Sequence, residues 1–192
     1  MHRITVGNWR PETAGPMQVI SGPMGRERVH FEAPGATRPK EEMRGFLQWY
    51  ERKPEIDLVL RAAIAHLLFV TIHPFEDGNG RIARAIADMA LARSEESPQR
   101  FCSMSAQIRS ERNAYYDILE ETQHGDLDVT RWLRWFLEYL ARAFTGAESI
   151  LEAVLSKDRF WEVHAATPIN ERQKKLVGML LDGFGGKLTS SK

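Results

Sequence analysis

Leu58 to Arg84 reads LVLRAAIAHLLFVTIHPFEDGNGRIAR, an apolar run that gives way abruptly to a polar, glycine-bearing loop. From about Ile56 to Ile72, apolar residues cover nearly the whole circumference of a helix, the pattern of a central helix surrounded by others. Arg61 and His66 interrupt the run, and it is too short to span a bilayer, so it reads as a buried helix. It stops at His73-Pro74, because the residue before a proline is pushed out of the α region. A second helix starts at Gly80 or Arg81 and runs to about Arg93. The loop between them, His73 to Gly80, is fixed at both ends by helices.

Upstream, the first forty residues carry most of the prolines, several glycines and no helical periodicity. Met17 to Ser21 and Arg28 to Glu32 are β-prone runs flanking the turn residues Gly22-Pro23-Met24-Gly25, which predicts a hairpin. Pro39 at a first helical position, Glu41 and Glu42 in the first turn, and Met43, Phe46, Leu47 and Tyr50 at one-face spacing predict a helix that Pro54 ends. Downstream, helices are expected at about Ser105 to Thr122, Val129 to Phe144 and Glu148 to His164. The second of these shows Leu133, Phe136, Leu137, Leu140 and Phe144 on one face. After Pro168, Asn170 is a good N-cap, Leu176, Val177, Leu180 and Leu181 form a stripe, and Gly183 can end the helix. The fold class is therefore all-α, a helical bundle around a central helix pair with a β-hairpin.

The composition bounds the functions open to such a fold. The 192 residues carry 26 Lys+Arg against 26 Asp+Glu, so no protein-wide field recruits nucleic acid or an anionic membrane. A 43% hydrophobic fraction with 27% charge is ordinary for a folded protein and supplies apolar side chains for one core with a small appendage. Cys102, the lone cysteine, permits no internal disulfide and no cysteine-based zinc cluster, and reads as a buried small hydrophobe. With no apolar leader at the N-terminus, a cytoplasmic location is expected.

Chemistry concentrates in the loop. Gly78, Asn79 and Gly80 tolerate positive φ, so three consecutive N–H groups can converge as an anion nest, with the next helix aiming its N-terminal dipole at the same point. Arg81 and Arg84, three apart on the first helical turn, supply forks for further phosphate oxygens. Asp77 beside an anion site calls for an intervening cation, and Mg²⁺ bridging carboxylate and phosphate answers that need. His73 titrates near neutrality and can accept a hydroxyl proton. Together these residues compose a phosphoryl-transfer site. Phe75 is expected to anchor the loop in the core and Glu76 to face solvent.

The loop HPFEDGNGRIAR resembles the signature of the Fic-domain family, H-x-F-x-(D/E)-G-N-G-R-x-x-R, at every specified position. The resemblance extends over roughly residues 4 to 165 and implies a Fic catalytic domain over 1–165 with the hairpin as its flap. It implies an enzyme, a protein adenylyltransferase, that moves AMP from ATP to a Ser, Thr or Tyr hydroxyl of a target protein and releases pyrophosphate. His73 then corresponds to the base, Asp77 to the Mg²⁺ ligand, Gly78, Asn79 and Gly80 to the anion hole, and Arg81 and Arg84 to phosphate ligands. Val19, Ile20, Ser21 and Gly22 match the flap, which lines the nucleotide and pairs with an extended target segment. Tyr115 and Tyr116 resemble the paired tyrosines near the nucleoside, and Gln123 stands where some members carry an adenine-contacting asparagine. The inhibitory pattern (S/T)-x-x-x-E-(G/N) of many members is not found, and such a segment is expected N-terminal to the flap. Residues 166–192 resemble the start of the winged-helix module that follows some bacterial Fic domains. The mildly basic stretch from Asn170 onward gives the alternative of a nucleotide-sensing DNA-binding regulator. Hydrolytic removal of AMP is the other alternative, and no membrane partner is implied.

Overall fold

The computed structural model describes residues 8–11, 17–21, 23, 25–35, 37–95 and 104–186. Gly22, Cys102, the tail from Lys187 and the side chain of Ser21 lie outside the described residues. An antiparallel hairpin, β1 (Gln18–Ser21) and β2 (Arg28–Glu32), precedes α1 (Pro39–Glu51), α2 (Leu58–Ile72) and α3 (Asn79–Ser94). Then come α4 (Met104–Ser110), α5 (Arg112–His124), α6 (Thr130–Val163) and α7 (Glu171–Leu181). The helical fold with a two-stranded flap agrees with the sequence reading. The chain divides into two compact units, Met1–Ala143 and Phe144–Lys192.

In the first unit α2 is the centre. Ala62, Ala63 and Ala65 on α2 and Ala83 and Ala87 on α3 are wholly buried, and these small side chains let the two helices approach closely. Met43, Phe46 and Tyr50 bury one face of α1, and Phe46 meets Phe69 of α2 edge-on, ring centroids 6.0 Å apart. Asp57 caps α2 by accepting from the Val59 and Leu60 N–H groups, a contact that contributes about 1 kcal/mol. Arg61 is buried because its guanidinium donates to the carbonyls of Trp49, Tyr50 and Arg52, satisfying the C-terminal end of α1.

Three expectations need correction. The helix read over Ser105 to Thr122 is two helices broken at Glu111 (φ −112°, ψ 30°), whose carboxylate Arg142 of α6 grips at 2.8 and 2.6 Å. A tertiary ion pair fixes that break, and local propensity carries no trace of it. Conversely, the two helices expected over Val129 to Phe144 and Glu148 to His164 are one, α6, 34 residues long. Gly146 sits inside it, a cost of about 1 kcal/mol against alanine that good helix formers on either side absorb. The buried face of α6 is Trp132, Phe136, Tyr139, Leu140 and Ala143, while Leu137 and Phe144 are 42% and 40% exposed. Trp132 and Tyr139 bury because their polar atoms find carbonyls, Nε1 donating to Ala63 at 2.9 Å and the tyrosine hydroxyl to Met104.

The second unit holds the rest of α6 and α7. Asn170 and Gln173 form a capping box at the start of α7, and Gly183 takes φ +80° just past its end, as the N-cap and glycine readings anticipated. No helix among the described residues is long and apolar enough to cross a membrane.

Candidate active site

His73 caps α2 in the left-handed region, φ 49° and ψ 58°, with its N–H still donating to the Phe69 carbonyl at 3.1 Å. It is the described non-glycine residue with positive φ. The proline that follows excludes the right-handed helical conformation, and the reversal turns the imidazole away from the helix barrel. Its Nδ1 lies 3.1 Å from the Val70 carbonyl. A carbonyl can only accept, so Nδ1 carries the proton and Nε2 is the basic nitrogen of the neutral ring. Burial, above all, holds the His73 pKa below the usual histidine value. The ring therefore stays neutral at pH 7.

Beyond it, Pro74 is fully buried and Phe75 stacks on Trp9 at 5.4 Å and 16°, the anchoring role expected of it. Asn79 is buried, its Oδ1 accepting from the Phe75 N–H at 3.0 Å and its Nδ2 donating to the Phe75 carbonyl at 2.7 Å. This side chain closes the loop on itself. The nest is correspondingly different from the expectation: of the three residues, Gly78 alone has positive φ (84°), and Asn79 and Gly80 are the first residues of α3. The Ile82 N–H donates to the Gly78 carbonyl at 3.0 Å and begins the helical ladder. The N–H groups of Asn79, Gly80 and Arg81 are thus the orphan donors of a helix N-terminus, still an anion-binding arrangement but with one left-handed residue.

Arg81 donates to Asp77 Oδ2 at 3.0 Å, and both side chains are exposed. Arg84 donates through Nε to the Ser105 hydroxyl at 3.0 Å, which leaves its terminal nitrogens for other partners. Asp77 presents a single carboxylate on open surface with its second oxygen available. That suits Mg²⁺, which takes one or two carboxylates and completes its shell with water and phosphate.

These groups line one cleft of about 400 Å³. His73, Asp77, Gly78, Asn79, Gly80, Arg81 and Arg84 form one side, Val19 of the flap another, and Tyr115, Tyr116 and Gln123 of α5 a third. A bulge between Val19 and Ile20 turns the strand, so Ile20 is 53% exposed and lines a neighbouring cavity instead. Tyr115 is nearly inaccessible, its hydroxyl 2.9 Å from His66 Nε2. Tyr116 is less buried and stacks on His30 at 5.3 Å, with the Arg112 guanidinium 5.5 Å from its ring centroid. Gln123 donates to the Thr71 hydroxyl at 3.0 Å. Glu76, expected in solvent, is partly buried in the cleft wall.

Residues 1–91 match the model of the Fic/DOC family. The matched stretch contains the hairpin, α1, α2, the loop and nearly all of α3. It is 33% identical over 144 residues to "Protein adenylyltransferase fic-1" of Caenorhabditis elegans, covering 74% of this chain and 25% of that protein. Against "Protein adenylyltransferase Fic" of Nematostella vectensis it is 32% identical over 161 residues, 81% of this chain and 33% of the relative. A crystal structure of a Fic family protein from Desulfovibrio desulfuricans G20 superposes with TM-score 0.61 at 29% identity, covering 75% of this chain and 41% of that one. The chain thus spans a quarter to a third of the length of these curated relatives.

Sequence reading missed the residues that hold the flap. His30 of β2 lies 2.7 Å from Glu120 of α5, and Arg28 donates to the same carboxylate at 2.9 Å. Those two partners hold the Glu120 carboxyl below the usual carboxylate range. Tyr116, Glu120 and Gln123 recur at helical i, i+4, i+7 spacing, the signal that could have placed Glu120 on the cleft face. Arg10, which donates through Nε to the His73 carbonyl at 2.9 Å, has no sequence signal beyond its charge.

Proposed function

We propose that this Fic domain transfers AMP from ATP to a Ser, Thr or Tyr hydroxyl of a target protein and releases pyrophosphate. The observation that carries the reading is the placement of His73: its ring keeps the proton on Nδ1, which donates to the Val70 carbonyl, and it lines the same cleft as a helix N-terminus and two arginines. A general base needs that tautomer, with a free lone pair near the reacting hydroxyl.

In this mechanism the hydroxyl oxygen attacks the α-phosphorus while its proton passes to His73 Nε2. The bond from the α-phosphorus to the bridging oxygen breaks, and pyrophosphate departs with that oxygen. The N–H groups at the start of α3 receive the phosphate oxygens, and Arg84 reaches outward from its Ser105 contact to the terminal phosphates. Arg81 exchanges Asp77 for phosphate, which frees the carboxylate to hold Mg²⁺. Bound there, the metal would neutralise phosphate charge. Tyr116 and Gln123 flank the nucleoside, and the Tyr115 ring closes the floor beneath it. β1 pairs with β2 on one edge, and its other edge is suited to receive an extended target segment.

Incubation with ATP and Mg²⁺ followed by intact-mass measurement tests the reading. Addition of one AMP to the chain or to a lysate protein is expected, and His73→Ala should abolish it. A phosphate mass, or undiminished labelling in the variant, would refute it.

A further inference from the structure

We propose that Arg10 is a positioning residue for His73, tying the exit of the flap to the left-handed residue that ends α2. The inference rests on the reading of His73 as the base. Arg10 is 3% exposed, and its backbone N–H, its Nε and one terminal nitrogen all donate to main-chain carbonyls. Its own N–H donates to Pro74 at 3.0 Å, its Nε to His73 at 2.9 Å, and a terminal nitrogen to Pro34, two residues past β2. One guanidinium fork therefore grips both ends of the cleft: the strand that covers it and the loop that carries its chemistry.

Two further observations give the contact a purpose beyond filling space. A left-handed backbone is disfavoured for any residue with a Cβ and persists only where the surroundings hold it. At His73 the hold is the Arg10 contact to its carbonyl, supported by the adjacent stack of Trp9 on Phe75. The cation also acts on the ring electrostatically, adding to burial in depressing the His73 pKa. Other titratable groups face the same cleft: Glu76 and Asp77 from the loop, Arg81 and Arg84 from α3, His30 from β2 and Glu120 from α5. Arg10 approaches from behind, against the backbone, so it can favour the proton-accepting ring without occupying substrate space.

The test compares the full chain with Arg10→Met, Arg10→Lys and Trp9→Ala by two readouts: the NMR titration midpoint of the His73 imidazole, and AMP labelling as a function of pH. In Arg10→Met the midpoint should rise, because a nearby cation is lost. Labelling at the optimum should fall roughly 10- to 100-fold through kcat with little change in the KM for ATP. Arg10→Lys keeps the charge without the fork, so its midpoint should stay near that of the parent while the rate recovers only in part. Trp9→Ala should loosen the loop and leave the midpoint in place. The proposal is overturned if Arg10→Met titrates like the parent. It is equally overturned if both Arg10 variants lose labelling alike with an unshifted pH profile, as a purely structural residue would. Should Arg10→Met fail to fold, full parental rate in Arg10→Lys overturns it and a partial rate at an unshifted midpoint supports it. If the parent itself labels nothing, the base reading fails, while the NMR midpoints still decide whether Arg10 is coupled to His73.

Discussion

Two histidines stand seven residues apart, one inside α2 and one capping its end about two turns on, and the structure uses them in opposite ways. His66 lies in the middle of the helix, wholly buried, stacked on Trp132 at 5.5 Å and bonded to the Tyr115 hydroxyl. His73 sits where the helix has ended, on a reversed backbone beside the cleft. Both are held neutral, yet for His66 burial drives the pKa to about 3, far beyond any protonation a reaction could use. Residue type is shared, so it does not confer function. What separates them is the proline after His73, which stops the ladder and leaves the half-buried imidazole lining the cleft.

Exchanging each histidine for alanine should separate the two regions most sharply. His73→Ala should lower AMP transfer by roughly 10²–10⁴-fold, the usual worth of a positioned base, with the urea midpoint little changed. His66→Ala should do the reverse. It opens a void against Trp132 and strands the Tyr115 hydroxyl, costing about 2–4 kcal/mol of stability in a urea melt, with labelling per folded molecule largely kept. A His66→Ala protein as stable as the parent would break the comparison.

The motif and its two flanking helices were legible in the sequence because each rests on local rules: an apolar circumference, a proline stop, an N-terminal turn. The hairpin was legible through its turn residues, and α7 through Asn170 and Gly183. Long-range contacts were not. Glu111 breaks a helix because Arg142, 31 residues away, holds it. Asn79 reads as a nest residue and proves to be a staple across Phe75. Arg61 reads as an interruption in an apolar helix and Arg10 carries no signal beyond its charge, and both are buried because carbonyls elsewhere in the fold take up their donors. His66 reads as an interruption in an apolar helix, and its partner Tyr115 is 49 residues away.

Acid should reach the two regions at different depths. A histidine whose folded pKa is depressed binds fewer protons folded than unfolded, so its contribution to stability is whole above the unfolded value near 6.5. It is lost as pH falls from there toward the folded value. For His66 that window runs down to about pH 3. Lowering the pH from 7.5 to 5 should therefore cost about 2 kcal/mol through this group, and His66→Gln should flatten the slope by that amount in urea melts. The His73 pKa is lowered too, so a residual slope of the same sign should remain, and the acid limb of AMP transfer should lie below the ordinary histidine range. An acid limb at or above that range would erase the distinction between a buried base and an exposed one.

The smallest effect is expected where the two regions touch. Tyr115 belongs to both: its ring lines the cleft and its hydroxyl is bonded to His66 behind it. Burial raises the Tyr115 pKa, so the phenol stays protonated through the whole working range. Tyr115→Phe removes the oxygen and keeps the ring. If the hydroxyl serves the core, the loss should be about 1 kcal/mol in a urea melt, with AMP labelling and the KM for ATP within roughly threefold of the parent. A large rise in the KM for ATP would place the hydroxyl on the nucleotide side instead. In that case His66 would be coupled to the substrate through one oxygen atom, and the division between a structural and a chemical histidine on α2 would no longer hold.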